Sequence, residues 1–485
     1  MTRFEVPDGW VAQAYRFALD PSARQERALT SHAGAARFAR NHMLGLVRAT
    51  LDQRAAERSY GIVETDLTPV LGWSLPALRK VWNARKDSVA PWWSENSKEA
   101  YNTGLDSLAR SLDAWSKSRR GDRAGAKVGF PRFHSKRHRA SVRFTTGTIR
   151  IEADRHHVTL PRVGTIRTHE STRKLARRIE SGTARVLSAT VTRDRAGRWH
   201  ASFQTVVART PARPSHVAGS RLAVGVDVGV KDLLVVAAPD GAEVARIPAP
   251  KPLTRAHTRL RPLQRKAARQ TGPYDPSTQR KQQPSRRWQR TQTRIARTHT
   301  RAANIRRDAL HKATTALAQT HPVITVETLN AAGMRTAGGA RKRGLNRALA
   351  DAALAEVRRM LAYKTVWYGS VLVEADRWYP SSKTCSGCGN RKPRLLLSER
   401  TYACSVCGLV LDRDLNAAIN LARLGEANLV AEQSPAGSGP VAGRGAMREP
   451  DPAPAGDAAG NETSTPHDTI RVGQTGTVSP QGEAA

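Results

Sequence analysis

Residues 221–238 read RLAVGVDVGVKDLLVVAA, two β-type runs joined tightly and followed by the PDG turn at 239–241. In the first run, alternation with period two places Val224, Val226, Val228 and Val230 on one face. Gly225, Asp227 and Gly229 fall on the other. A carboxylate flanked by glycines leaves room for a metal ion and a phosphate to approach. The plain alternative is an Asp near a strand end that caps a neighbouring turn.

Two further carboxylates stand in comparable settings. In VITVETLN (323–330), Ile324 and Val326 point one way while Thr325 and Glu327 point the other. A buried, unpaired carboxylate is costly, so Glu327 needs either metal or a salt bridge to Arg or Lys. In LDRDLNAAINLARL (411–424), Asp412 or Asp414 suits an N-cap. Asp414 equally suits a first-turn position, and Ala417 and Ala418 let that helix approach a sheet closely. Spacing alone leaves the two acids undecided. An acid on a first strand, one on a later strand and one at a final helix form the set that two-metal phosphodiester hydrolysis requires. There, carboxylates hold two divalent ions about 3.5–4 Å apart, and Mg²⁺ suits such oxygen ligands.

The rest of the chain divides around these segments. Residues 11–18, VAQAYRFA, alternate like a short strand, and from Ser22 to about Trp115 the pattern is helical, with Pro21 and Ser22 as its start. A basic, glycine-containing loop covers 119–139, suited to a place near phosphate or to a plain solvated linker. From Ala140 to Ala208 the alternation is β-like, with turn signals such as Asp194–Gly197, and predicts an antiparallel β-domain. PARPSHVAGS, residues 211–220, marks a linker. Residues 251–320 hold 18 Arg or Lys against two Asp, predicting a helical hairpin with a positive outer face. Trp288, Ile295 and Ala302, seven apart, read as a packing stripe within it. A strand at 323–329, a helix from about Leu345 to Thr365 and a strand in GSVLVEAD (369–376) follow. The final 55 residues, 431–485, carry 7 Pro and 9 Gly without periodicity and predict a disordered tail.

Charge narrows the function. The 485-residue chain has 79 basic and 41 acidic residues, a net of +38, and 63 of the basic residues are Arg. An Arg-rich genome explains Arg over Lys but not the excess over acids, so nucleic acid is the expected partner. The tail nets 3 − 7 = −4, so residues 1–430 carry 38 + 4 = +42. The start, MTRFEVPDGW, lacks a signal-peptide core, and the apolar stretch 222–238 is broken by Asp227, Lys231 and Asp232. No membrane span is expected; the default is a cytoplasmic, nucleoid-associated protein.

All four cysteines lie between 385 and 407. Cys385–Cys388 and Cys404–Cys407 form two CxxC pairs separated by 15 residues, each followed by glycine, Gly389 or Gly408. Zinc prefers tetrahedral thiolate sulfur, and two such knuckles close a four-cysteine site without an open position. Glycine after the second cysteine permits the positive φ of a tight knuckle. The expectation is structural zinc in a zinc ribbon; a redox CxxC would not need a second copy.

Several of these segments together resemble one family. GVDVGVKDL, VETLNAAGM, ADRWYPSSKTCSGCG and YACSVCGLVLDRDLNAAINLARLG are similar to the motifs of TnpB (OrfB) proteins. That family comprises transposon-encoded RNA-guided DNA endonucleases related to type V CRISPR effectors. AYRFALDPSARQERAL, ARFARNHML and GFPRFHSKR extend the resemblance, which runs from about Ala14 to Gly425. It implies a multidomain α+β and α/β protein. The N-terminal strand (1–20) would complete a β-barrel wedge domain (121–216), with a helical recognition lobe at 21–120. An RNase H-like (RuvC) nuclease domain would span 217–430, holding the basic hairpin 251–320 and an inserted zinc ribbon at 381–411. The resemblance places the three catalytic, magnesium-binding acids on Asp227, Glu327 and Asp414, which selects Asp414 over Asp412. It implies a guide RNA from the transposon end and a double-stranded target DNA, base pairing rather than the protein reading sequence. A nuclease-inactive RNA-guided repressor and a transposase joining DNA ends directly are the alternatives. The intact acids oppose the first, and Glu in the middle of the acid order opposes the second.

Overall fold

The computed structural model describes residues 5–136, 138–209, 223–272, 274–275, 280–281, 284–336, 342–396 and 398–433. The expected linker and nearly all of the expected tail fall outside the described residues. Two compact units divide the chain between Arg209 and Thr210.

In the first unit, β1 (Trp10–Asp20) leads into three helices, α1 (Ala23–Ser59), α2 (Leu75–Val89) and α3 (Lys98–Arg120). Ser22 starts α1 as expected: its hydroxyl accepts from the Gln25 N–H while the Gln25 side chain returns to the Ser22 N–H, a capping box. The helices α1 and α3 cross closely because Gly104 has no side chain; a Cβ there would lie 2.0 Å from the Ala36 carbonyl oxygen. The strands are β2 (Ser141–Phe144), β3 (Arg150–Ile151), β4 (His157–Leu160) and β5 (Gly164–Thr168). A short helix, α4 (Arg173–Glu180), precedes β6 (Ala184–Arg193) and β7 (Trp199–Ala208). They form one sheet in the order β2-β6-β7-β1-β5-β4-β3. The strand β1 joins its halves, pairing through Ala18 with β7 and then, at Leu19 and Asp20, with β5.

The expected barrel does not close. Strand β3 is two residues long and pairs only with β4 among the described residues. At the other end, α3 takes the free edge of β2: the Arg143 N–H donates to Thr103 Oγ1 at 3.0 Å, and Glu99 accepts from the Thr145 and Thr146 hydroxyls. A helix seated on that edge occupies the place where a closing strand would pair. Helices and sheet share one core, with Phe17, Phe144 and Phe203 packed in the same cluster as Leu29, Leu105 and Leu108.

The second unit is built on β8 (Ala223–Val228), β9 (Asp232–Ala237) and β10 (Glu243–Pro248). The basic stretch follows as α5 (Pro252–Arg269), a two-residue ladder of β11 (Tyr274–Asp275) and β12 (Arg280–Lys281), and α6 (Arg286–Thr320). Arg255, Arg259, Arg265, Arg287, Arg294 and Arg301 on these helices are exposed. The buried face of α6 runs through Ala302, Leu310, Ala313 and Leu317, whereas Trp288 and Ile295 are only partly covered. Next come β13 (Val323–Glu327), α7 (Ala331–Thr336), α8 (Arg343–Ala352), α9 (Leu354–Tyr368) and β14 (Val371–Ala375). The single helix expected from 345 to 365 is therefore two, broken at Ala353, which sits in the left-handed region at φ 51°. The sheet order is β10-β9-β8-β13-β14, with β8, β13 and β14 parallel and the first two strands antiparallel. A hairpin of β15 (Thr401–Ala403) and β16 (Val410–Asp412) precedes the long α10 (Arg413–Gln433), which extends three residues into the expected tail.

Candidate active site and cysteine cluster

Alternation along β8 works as the sequence implies: Val224 and Val226 are fully buried while Asp227 keeps an opening to solvent. Strand β13 runs parallel beside it with Val326 opposite Val226, so Glu327, one residue on, ends level with Asp227. Both carboxylates thus stand at the carboxyl ends of adjacent parallel strands, the edge at which open α/β sheets bind ligands.

Helix α10 brings the third acid. Ala417, Ala418, Leu421 and Ala422 are fully buried, and the helix backbone presses on β8 at Gly225, where a Cβ would lie 2.0 Å from the Ala418 carbonyl oxygen. Further along, a Cβ on Gly425 would sit 2.2 Å from Thr325 Oγ1 on β13. The small residues therefore do what Ala417 and Ala418 suggested. The room beside Gly225, expected to admit metal and phosphate, is filled by α10 instead. Docked this way, the first turn of α10 places Asp414 beside the two strand-end acids. Asp412 is the cap: its Oδ1 accepts from the N–H groups of Asp414 at 3.1 Å and Leu415 at 3.0 Å.

The three acids sense one another. Burial pushes the Asp227 pKa well above the usual carboxylate range, and the charges of Glu327 and Asp414 push it further. Glu327 is raised by burial as well, against a hydrogen bond donated by the Ser381 hydroxyl. Crowded, poorly solvated carboxylates of this kind suit a divalent cation, which removes the repulsion that raises them. Asp414 turns to Arg413, whose guanidinium donates to it at 3.1 and 3.2 Å. Arg413 also donates to the Glu399 carbonyl at 3.0 Å. Neither Ser381 nor Arg413 is signalled by spacing; the fold brings Ser381 to Glu327, and Arg413 adjoins Asp414 in the chain.

The four cysteine sulfurs all lie within 4.8 Å of one another. Cys385 and Cys407 are 3.6 Å apart, and Cys388 and Cys404 3.7 Å. Tetrahedral Zn–S bonds of about 2.3 Å put neighbouring sulfurs roughly 3.8 Å apart, so these thiols fit such an ion and are too distant for disulfides. Gly389 and Gly408 adopt φ of 76° and 74°, the positive values the knuckles call for. The N–H groups of Gly387 and Val406 donate to Cys385 and Cys404 sulfur. The backbone N–H groups of Cys407 and Val406 hold the Cys404 thiol down to about 6. Helix α10 grips this cluster through two asparagines. Asn416 donates to the Thr384 carbonyl at 2.7 Å and accepts from the Ser386 N–H, and Asn420 donates to the Ser381 and Thr384 carbonyls. One helix thus carries Asp414 and holds the first knuckle.

Comparison with known proteins finds relatives of the chain. A protein of Mycobacterium tuberculosis bearing the name "Putative RNA-guided DNA endonuclease" is 43% identical over 468 residues, covering 94% of this chain and 95% of that protein. Two family models of the OrfB type match, a helix-turn-helix domain at 11–54 and a probable transposase at 204–337, and a Cas12f1-like TNB domain matches at 355–421. The chain belongs to the TnpB (OrfB) family. A TnpB-family relative from Escherichia coli K12, of the same name with the suffix InsQ, is 29% identical across 86% of this chain and 93% of its own length. A solved Cas12f1–sgRNA–target DNA complex aligns with 86% of this TnpB chain and 99% of its own at 13% identity and a TM-score of 0.46. No described helix of this TnpB protein is long and apolar enough to cross a membrane.

Proposed function

We propose that this chain is an RNA-guided DNA endonuclease of a mobile element, cutting target DNA with an RNase H-like (RuvC) centre made of Asp227, Glu327 and Asp414. The observation that carries the reading is the meeting of these three acids at the ends of β8 and β13 and the start of α10. It is supported by the names of the relatives, which match nearly the whole chain.

Asp227, Glu327 and Asp414 would hold divalent ions, magnesium by the hardness of their oxygens. Bound there, a metal pair supplies activation of the attacking water and charge relief at the leaving oxygen. The chain's own groups prepare that site. Ser381 fixes the orientation of the Glu327 carboxylate, Arg413 holds Asp414, and Asp412 holds the turn of α10 from which Asp414 projects. The cysteines would bind zinc as a structural ribbon over residues 381–411, keeping α10 seated. The exposed arginines of α5 and α6 would neutralise the phosphates of a guide RNA from the transposon end and of its double-stranded DNA target.

The test is to sequence RNA that co-purifies with the protein and to reconstitute cleavage of a matching duplex with Mg²⁺. Asp227→Ala is expected to abolish cutting while RNA binding persists. Absence of a discrete RNA, or undiminished cleavage by that variant, would refute the proposal.

A further inference from the structure

In the first unit, the loop 128–134 crosses α1 and α3 and borders a groove of about 670 Å³. That size lies within the roughly 300–1,000 Å³ of small-molecule sites. The rings of Trp115, Phe130 and Phe133 line it. Phe130 packs edge-on against Trp115 with ring centroids 5.0 Å apart, whereas Phe133 leaves 53% of its surface exposed. Such exposure is not slack in the loop. The Asn41 side chain exchanges two hydrogen bonds of 2.9 Å with the backbone of His134, and Arg40 Nε donates to the His134 ring at 3.0 Å. At the other end, the Val128 N–H donates to Ser118 Oγ at 2.9 Å. A phenyl ring is thus presented to solvent by a backbone pinned on both sides.

Charge completes the picture. Arg48, Arg58, Arg119 and Arg132 line the groove against one carboxylate, Asp52. Arg48 is paired with Asp52 at 3.6 Å and Arg58 with Glu64 at 3.0 Å. Arg119 lies 5.8 Å over the Trp115 ring, and neither it nor Arg132 has an ion-pair partner among the described residues.

We infer that this groove takes one unpaired nucleotide of a nucleic-acid strand, its base stacked on Phe133 and its phosphate met by Arg119 and Arg132. The inference rests on the nucleic-acid reading above and adds to it a subsite for a base that is not in a duplex. Paired bases offer no free face to a ring, whereas an unpaired base does, and aromatic stacking is tolerant of base identity. The surplus of guanidinium selects a polyanion over an apolar peptide. The strand is RNA or DNA, since both offer the same base and phosphate.

The experiment uses the full chain and three fluorescent probes: short oligouridine, short oligothymidine and a short DNA duplex. Each single strand carries one 2-aminopurine, which is quenched on stacking, and salt is raised to suppress plain phosphate attraction. Phe133→Ala is expected to weaken single-strand binding about five- to 150-fold and to abolish the quench, with duplex binding within about twofold. Phe133→Tyr should retain both signals. Loss confined to oligouridine assigns the strand as RNA; loss confined to oligothymidine assigns it as DNA. Unchanged single-strand affinity in Phe133→Ala, or an equal loss on the duplex, would overturn the inference. The two readings fail separately. Guided cleavage with Phe133-independent binding removes only the groove, and Phe133-dependent binding without guided cleavage removes only the nuclease.

Discussion

The Ala418 carbonyl oxygen occupies the place where a side chain on Gly225 would begin, 2.0 Å from that Cβ position. Backbone on both sides leaves nothing to swing away. Gly225→Ala must therefore lift α10 from β8 and carry Asp414 with it. The expected outcome is a clear loss of thermal stability together with loss of DNA cleavage. Gly45→Ala is the control: it lies inside α1 with open space around the new methyl, so it should gain about 0.5–1 kcal/mol and leave cleavage intact.

Asp227 supplies a test that does not depend on turnover. Its folded pKa lies above the unfolded value of about 3.9, so the folded state holds the extra proton between the two. Stability then falls as pH rises through that window. In metal-free buffer near neutral pH, Asp227→Asn is expected to melt at a higher temperature than the parent. The difference should vanish by about pH 3, below both values. Added Mg²⁺ should raise the parent melting temperature and not the variant's. A destabilised Asn variant at neutral pH would contradict the crowded-acid account.

The adjacent acids Asp412 and Asp414 should separate cleanly. Removing the cap with Asp412→Ala costs about 0.5–2 kcal/mol, read from chemical denaturation, and leaves measurable cleavage. Asp414→Ala should abolish cleavage with a smaller change in stability.

The cysteine cluster should hold one zinc per chain, released on chelation and measured by a colorimetric zinc indicator. Cys404→Ser is expected to lower the zinc content to near zero and to loosen α10, because Asn416 and Asn420 bond to the first knuckle. Faster hydrogen exchange at 413–425 would record that loosening.

Asp351 is 2% exposed and does three things at once. Its carboxylate accepts from the Leu253 and Thr254 N–H groups at 3.0 Å, capping α5, and lies 3.6 Å from Arg306 of α6. Asp351→Ala removes both the cap of α5 and a buried carboxylate beside Arg306, and is expected to cost about 3–5 kcal/mol. Pairing it with Arg306→Met should recover much of that loss in urea denaturation.

The legible parts of this chain are those that local chemistry dictates. Alternation around Asp227, the Ser22 cap and the glycines after each CxxC pair are properties of a few neighbouring residues, and the structure keeps them. Contacts between distant segments were less visible. Gly225 reads as an opening for a ligand, yet its partner is a helix some 190 residues later (about). The break at Ala353 has no glycine or proline to announce it. The β-domain reads as antiparallel from its strands, and the resemblance makes it a barrel, but Thr103 and Glu99, on a helix forty residues earlier (roughly), sit on the edge that closure needs. Ser381 and Arg413 carry no pattern and gain meaning only beside Glu327 and Asp414.

One consequence of the position of α10 concerns synthesis. The helix that bears Asp414 is the last described element, and it docks on strands made almost two hundred residues before it (about). While the ribosome is still adding residues beyond β14, the nascent chain already displays the arginines of α5 and α6 and both strand-end acids, yet lacks the third. A truncated product would hold nucleic acid without the complete acid set. Competence to cut, on the proposed reading, arrives only once α10 has been made.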